Sequence, residues 1–451
     1  MSGSARDGRV KVFIETYGCQ MNSYDTSVMY GILDEHGYAR AETVDDADVV
    51  LLNTCSVRDL AEHKIHSRVG ELRSLNRRGL SKTAVVGVTG CMAERMADDL
   101  AKGERKADLV LGVDQYAKLP GMLDLAVARV RGDKDGPKQL NVATGHQADV
   151  HYVAPPDAYP TNNSHLVTIH KGCDYKCTYC IVPATRGPQR EKAPEVIEQE
   201  IRDIVAAGGR EVTLLGQNVT AYRAPGLNFA GLLQRLNPIV GLERIRFLTG
   251  HPCDMNEELV KTMSGLDKVC PWLHVPAQSG SDRVLRRMKR HYTAAEYLGL
   301  VATARRWLPG VTFSGDFIVG FPGETDEDFR MTLELVREVR YDQTFNFKYS
   351  ERPATPAAKL DDDVPLEVKK ERLAELMALQ ENVWSSMASV AVGEVWDVAV
   401  EDEARRPAGA WRARSLHNRK VLLLDHEGFV GQTLSVRITG CEATTFFGVA
   451  V

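Results

Sequence analysis

Three cysteines, Cys19, Cys55 and Cys91, are spaced 36 residues apart, and each closes an apolar run. The runs read Val12-Phe13-Ile14-Glu15-Thr16-Tyr17-Gly18-Cys19, Val49-Val50-Leu51-Leu52-Asn53-Thr54-Cys55 and Val85-Val86-Gly87-Val88-Thr89-Gly90-Cys91. The stretches 10–15, 47–53, 83–89 and 107–112 are rich in Val, Ile and Leu and are bounded by Gly, Asn or Asp, as strands are. Helical patterns over 23–35, 59–76 and 93–100 lie between them. Continuously apolar strands alternating with helices imply a parallel sheet covered on both faces. In such a sheet all strand carboxyl ends lie along one edge, where ligands bind. Thiols remote in sequence therefore meet there, and Gly18 and Gly90 permit the tight turns needed. A single buried cysteine is usually inert. Three in the same strand-to-helix position predict a three-thiolate site.

A second trio is local: Cys173-Asp174-Tyr175-Lys176-Cys177-Thr178-Tyr179-Cys180, spaced C-x3-C-x2-C. That is one thiolate short of the four that hold an iron–sulfur cubane. A missing protein ligand leaves one metal open for substrate or cofactor, which distinguishes catalytic from structural metal sites. Zinc is the alternative, although zinc ordinarily takes four ligands in paired spacings. His170 could complete a zinc site or simply lie along the preceding strand. Cys253, Cys270 and Cys441 show no paired spacing and read as structural. Nine cysteines, an odd number, without an export signal argue against a disulfide framework and for a reducing compartment.

Residues 1–130 are expected to form the αβ domain, and 131–163 a charged, Gly- and Pro-bearing linker, extended and poorly packed. Over 164–385 six strand-like runs, at 166–171, 211–215, 244–248, 272–275, 312–319 and 344–349, alternate with helical patterns. This predicts an open, partial (β/α)6 TIM-like barrel, with chemistry at the carboxyl ends of its strands. The first of those strands runs straight into Cys173. A charged helical stretch, 366–388, leads into 386–451, where about five short strands predict a small all-β barrel. The composition, 43% hydrophobic and 26% charged, is ordinary for a globular protein. No apolar run is long enough for a bilayer span, so no membrane partner and a cytoplasmic location are expected. The net charge of −5 gives no global signature of nucleic-acid binding, which must then rest on a local basic face.

These residues resemble the methylthiotransferase family of radical S-adenosylmethionine (SAM) enzymes, in its tRNA-adenosine (MiaB-type) branch. The resemblance covers nearly the whole chain. Thr16-Tyr17-Gly18-Cys19-Gln20-Met21-Asn22 is similar to the family's opening motif, and its Gln-Met-Asn points to the tRNA-adenosine branch. Asn53-Thr54-Cys55-Ser56-Val57-Arg58 and Thr89-Gly90-Cys91-Met92-Ala93 match the next two cysteine motifs. Cys177-Thr178-Tyr179-Cys180-Ile181-Val182-Pro183 runs on into Arg186-Gly187, and Val319-Gly320-Phe321-Pro322-Gly323-Glu324-Thr325 falls in the barrel. The last segment resembles the TRAM domain, a small RNA-binding barrel. Pro188-Gln189-Arg190-Glu191-Lys192 departs from the Ser-Arg or Arg-Arg pair usual in the family.

The resemblance implies methylthiolation of C2 of N6-isopentenyl adenosine at position 37 of tRNA, next to the anticodon. It implies two [4Fe-4S] clusters, one on Cys173, Cys177 and Cys180 beside SAM, the other on Cys19, Cys55 and Cys91. Gln217, Asn218, Gln278, Ser279 and Gly320, at strand ends of the barrel, are the expected SAM contacts. Arg412, Arg414, Arg419 and Lys420 are the expected RNA contacts, because arginine suits phosphate and aromatics beside it can stack on bases. Arg283, Arg286, Arg287, Lys289 and Arg290 form a basic helical stretch that could meet the anticodon stem but reads rather as an ordinary exposed helix. The expected partners are a tRNA anticodon stem-loop carrying isopentenyl-adenosine and a reducing donor such as flavodoxin or ferredoxin, with the chain a monomer. Three alternatives are methylthiolation of threonylcarbamoyl-adenosine tRNA, of a ribosomal-protein aspartate, or a non-catalytic iron–sulfur RNA-binding protein. Gln20-Met21-Asn22 disfavours the first two, and an open iron at a barrel mouth disfavours the third.

Overall fold

A computed structural model describes residues 9–56, 59–78, 83–102, 106–130, 132, 142–148, 152–155, 164–424 and 428–451. Val57 and Arg58 of the second cysteine motif, and most of the expected linker, lie outside the described residues. The chain divides into two compact units, one within 1–158 together with 181–190, the other within 159–180 and 191–451.

The first unit is built on six parallel strands. Their order is Ala39–Arg40, Lys11–Tyr17, Val49–Thr54, Val85–Gly90, Leu109–Leu111 and Val142–Ala143. Every residue of Val49–Thr54 and Val85–Gly90 is buried, as a sheet covered on both faces requires. Helices Gln20–Glu35, Asp59–Arg77 and Leu119–Val130 supply the covering layers. The sixth strand comes from the segment expected to be a poorly packed linker. It adds to Leu109–Leu111, and Gly112 N–H donates to Ala143 O at 2.8 Å. Further along, Gln115 Nε2 donates to Gly145 O, and Tyr152 OH donates to Asp114 O. A segment with few apolar residues still carries backbone donors and acceptors, and an open sheet edge satisfies them.

The second unit contains the expected six barrel strands. They form two parallel halves: Arg244–Phe247, Glu211–Leu215 and Ser164–Thr168, then Trp272–His274, Thr312–Val319 and Gln343–Lys348. A single parallel bridge, Ile245 to Val269, lies at the break between them. Helices such as Pro194–Ala206, Ala294–Trp307 and Asp326–Val339 pack outside, and Thr293 and Thr325 each open theirs with a reciprocal capping box. Helix Leu366–Val390 leads to a closed five-stranded barrel, ordered Val395–Glu403, Trp411–Ser415, Lys420–Leu423, Thr445–Ala450, Thr433–Glu442. Val398, Val400, Val421, Val436, Ile438 and Phe446 fill it.

The small barrel meets the amino-terminal ends of the large barrel's strands. Arg244 Nη1 donates to Arg414 O, while Arg246 Nη1 and Nη2 donate to Leu416 O and Ser415 O, all at 2.9 Å. Arg246 Nε also reaches Glu211 Oε1 at 2.9 Å, with both side chains 3% exposed. Removing one partner of a buried pair leaves an uncompensated charge, which costs about 3–5 kcal/mol. Arg246→Met is expected to lower unfolding stability by about 3 kcal/mol, the lower end of that range, because Arg244 Nη1 stays 3.9 Å from Glu211 Oε2. Its denaturant midpoint falls accordingly, and limited proteolysis releases the C-terminal barrel earlier. Among the described residues no helix is long and apolar enough to cross a membrane.

Candidate metal centres

In the first unit, strand register brings the three remote cysteines to one edge. Tyr17 pairs with Thr54, and Thr54 with Gly90, so Cys19, Cys55 and Cys91 leave three neighbouring strands at the same level. The approach is tight. Gly18 has φ +150°, and a Cβ there would lie 2.6 Å from Cys55 Cβ. Gly90 has φ +90°, and its Cβ would lie 2.6 Å from Thr54 O. Only glycine accepts both the conformation and the space.

Cys55 and Cys91 are buried, while Cys19 is exposed before the helix Gln20–Glu35. The neighbouring Cys55 thiol pulls the Cys19 thiol down to about 6, and the Arg186 charge helps. Burial pushes the Cys91 thiol up, and Arg186 opposes it. Arg186, only 3% exposed, places Nε 3.2 Å from Cys91 Sγ and Nη2 2.7 Å from Oδ2 of the buried Asp25. Thiolate is the ligand form of cysteine, so a depressed thiol and a nearby guanidinium suit metal binding.

In the second unit, Cys173, Cys177 and Cys180 follow the strand Ser164–Thr168 and the short pair His170–Lys171. Burial pushes the Cys173 thiol up to about 11. The loop is pinned from several sides. Gly172 N–H donates to Gln217 Oε1 at 2.5 Å, Thr178 N–H to Met288 O, and Thr178 Oγ1 to Arg287 O at 3.0 Å. Tyr175 stacks on His251, with centroids 3.9 Å apart, and its hydroxyl donates to Asp254 Oδ2 at 3.0 Å. Burial, then the Arg290 charge, lower the His251 imidazole to about 2, so the ring is neutral. His170 Nε2 accepts the Asn218 N–H at 3.1 Å, which places it in the scaffold rather than in a zinc set.

Arg290 corrects the reading of an exposed basic helix. The helix ends at Arg287, and Arg290 turns inward, 6% exposed. Its Nη1 lies 3.5 Å from Cys177 Sγ, and its Nη2 donates to Pro276 O at 3.0 Å. Nothing in the sequence marked Arg186 or Arg290 as buried, because the groups that satisfy them are distant along the chain. The only available signal was that Arg186 closely follows Cys180.

Among the described residues no three His, Cys, Asp or Glu side chains close on a single ion-sized point. A cubane asks for something else: each of its thiolates takes a different iron. Two all-cysteine trios, each beside a buried guanidinium, fit that donor chemistry.

The residues expected around SAM are placed differently from one another. Gln217 holds the backbone before Cys173. Asn218 is committed internally: Nδ2 donates to Asp254 Oδ2 at 2.7 Å, and Oδ1 accepts from Thr220 Oγ1 and His251 N–H. Ser279 Oγ accepts the Ser281 N–H and lies 3.3 Å from Thr332 Oγ1. Gln278 is buried with φ +67° and bridges to Phe317. A Cβ on Gly320 would lie 2.4 Å from Lys369 Cγ, so helix packing alone demands glycine there.

The basic residues of the small barrel also differ. Arg412 is paired with Asp402, and Arg414 with Glu401 and Asn418. Arg419 pairs with Asp342 at 2.9 Å and lies over the Trp396 ring, which makes it a strut between the two barrels. Lys420 is exposed, as are Arg405 and Arg406. Cys270 is buried, Cys253 is exposed with Sγ 3.3 Å from His291 O, and Cys441 packs at the small barrel's core.

Residues 11–112 match an uncharacterized protein family, UPF0004, and residues 167–336 match the Radical SAM superfamily. The chain is 42% identical to a tRNA-2-methylthio-N(6)-dimethylallyladenosine synthase of Porphyromonas gingivalis, over 98% of this chain and 95% of that one. It is 40% identical to the enzyme of the same name from Chloroherpeton thalassium, over 98% and 96%. Among solved structures it resembles the radical SAM methyltransferase TsrM of Kitasatospora setae, with TM-score 0.51 and 15% identity over 77% of each chain. It also resembles the cobalamin-dependent SAM radical enzyme OxsB, with TM-score 0.53 and 13% identity over 83% of this chain and 56% of that one. These two likenesses speak to fold alone. Identity near 40% across almost the full length speaks to family: the chain belongs to the tRNA-2-methylthio-N(6)-dimethylallyladenosine synthases, transferases with a radical SAM core.

Proposed function

We propose that this chain replaces the C2 hydrogen of N6-isopentenyl (dimethylallyl) adenosine, next to the tRNA anticodon, by a methylthio group. The observation that carries the reading is the pair of three-cysteine sites, each where a parallel strand ends, in a chain of this family. An aromatic C–H is not acidic, so general-base catalysis cannot remove it. The iron–sulfur groups and SAM, when bound, supply the electron, the radical and the methyl group that the side chains lack.

Cys173, Cys177 and Cys180 would hold one [4Fe-4S] cluster, three thiolates being one short of a full set and so leaving room for SAM. Gln217 and Thr178 fix the loop that presents them, through the bonds to Gly172 and Arg287. Arg290, itself buried, would offset the negative charge of the thiolates. Cys19, Cys55 and Cys91 would hold the second cluster at the strand edge where their register brings them together. Gln278, the expected SAM contact with the least internal engagement, is retained as a cofactor-binding residue. Electrons come from a small reducing protein such as a flavodoxin or ferredoxin, and the chain works as a cytoplasmic monomer.

Phosphate contacts fall to exposed Arg405, Arg406 and Lys420, and to Arg412, whose pair with Asp402 lies at the surface, because Arg414 and Arg419 serve half-buried pairs. Replacing both Arg405 and Arg406 by alanine weakens binding to an anticodon stem-loop. The slope of log affinity against log salt falls by about 1 for each phosphate no longer neutralised. An unchanged slope in a filter-binding titration would remove these two residues from the interface. The substrate itself is tested by nucleoside mass analysis of tRNA from a deletion strain. Loss of the 2-methylthio-isopentenyl nucleoside, restored by this gene alone, is the expected result; its persistence contradicts the assignment.

A further inference from the structure

Each cysteine trio has one buried arginine beside it, and the two differ in countercharge. Among the described residues no carboxylate forms an ion pair with Arg290. Arg186 has Asp25 at 2.7 Å, with the two side chains 3% and 2% exposed. Arg186 is also incompletely used. Nε faces Cys91 Sγ at 3.2 Å and Nη2 faces Asp25, but Nη1 is buried and, among the described residues, has no hydrogen-bond partner. A guanidinium carries five N–H donors, and leaving some of them buried and unbound is costly. Two hydroxyls beside the trio in sequence, Ser56 Oγ and Thr89 Oγ1, are likewise buried without partners. An unsatisfied guanidinium nitrogen in contact with the trio, with two unsatisfied hydroxyls next to it in sequence, indicates that the protein atoms alone do not complete the site.

We propose that Arg186 is a positioning residue of the strand-end site. Nε fixes the Cys91 sulfur, Nη1 donates to a sulfide of the cluster held there, and Asp25 anchors the guanidinium while trimming its charge. The inference rests on the reading that Cys19, Cys55 and Cys91 hold a cluster. Its consequence is electrostatic. Adding an electron makes a cluster more negative, and a nearby cation with hydrogen bonds to sulfur stabilises that state. Arg186 therefore raises the reduction potential of the strand-end cluster, and Asp25 lowers it.

The test uses the full chain with Cys173, Cys177 and Cys180 all changed to alanine, so that only the strand-end cluster reports. Midpoints are read by redox titration followed by electron paramagnetic resonance. Arg186→Met is expected to shift the midpoint negative by at least a tenfold change in the oxidised-to-reduced ratio, about 59 mV for a one-electron couple. Asp25→Asn shifts it the other way, and Arg186→Lys falls between the parent and Arg186→Met. An unmoved midpoint in Arg186→Met overturns the proposal. So does a shift of Arg186→Met and Asp25→Asn in the same direction, which marks a salt bridge that only holds the fold. Where Arg186→Met retains no iron, Arg186→Lys decides: a midpoint below the parent supports the role, and an equal one overturns it. A parent that binds no iron contradicts the second cluster itself, and the inference falls with it.

Discussion

Cys177→Ala is expected to abolish release of 5′-deoxyadenosine when the anaerobically reconstituted protein is mixed with SAM and dithionite. Cys177 is the buried member of the local trio, and its sulfur is the one Arg290 approaches. Removing it leaves two thiolates for a group that needs three, beside a buried cation that has lost its sulfur contact. Loss of an outer partner of a metal ligand costs about 10–100-fold in affinity or activity. Loss of the ligand itself should exceed that, so cleavage should fall by more than about a hundredfold. Chromatographic detection of 5′-deoxyadenosine reads the effect directly. Cleavage at the unmodified protein's rate would separate this trio from SAM chemistry. Absence of cleavage in the unmodified protein would favour a non-catalytic iron–sulfur RNA-binding protein instead.

Cys55→Ala gives the second large effect, and of a different kind. Cys55 is buried, and its Cβ lies where the Gly18 turn passes. Alanine there retains the strand register that brings Cys19 and Cys91 to the same edge, but removes one of three ligands. The local trio lies in the other compact unit and keeps all of its cysteines. SAM cleavage should therefore persist at a measurable level, while methylthiolation of a stem-loop substrate falls below detection. Methylthiolation intact in Cys55→Ala would make the two-cluster reading wrong.

Much of this was legible before any coordinates, for a definite reason. Strands buried on both faces must be continuously apolar, so Val49–Thr54 and Val85–Gly90 identify themselves. A parallel sheet then places all carboxyl ends together, which is how cysteines 36 residues apart could be grouped. What the sequence hid depends on partners remote along the chain. Arg186 and Asp25 are 161 positions apart, and Arg244 and the Arg414 carbonyl are 170 apart. A charged residue reads as exposed unless its partner is known, because unpaired it would be. Arg290, Arg414 and Arg419 read as exposed on this ground, yet each makes a hydrogen bond or ion pair inside the protein. The polar strand-end residues Asn218 and Ser279 show the converse. Ends of barrel strands need hydrogen bonds for their own turns, and these side chains provide them.

The central claim is that one chain couples two three-cysteine sites to insert sulfur into an adenine ring. The most direct measurement is mass analysis of an anticodon stem-loop bearing isopentenyl-adenosine, after incubation with reconstituted protein, SAM and a reductant. One methylthio group is expected to replace one hydrogen on that base, with the unmodified protein only and with neither Cys55→Ala nor Cys177→Ala. An unaltered base, with 5′-deoxyadenosine accumulating in the same tube, would contradict it.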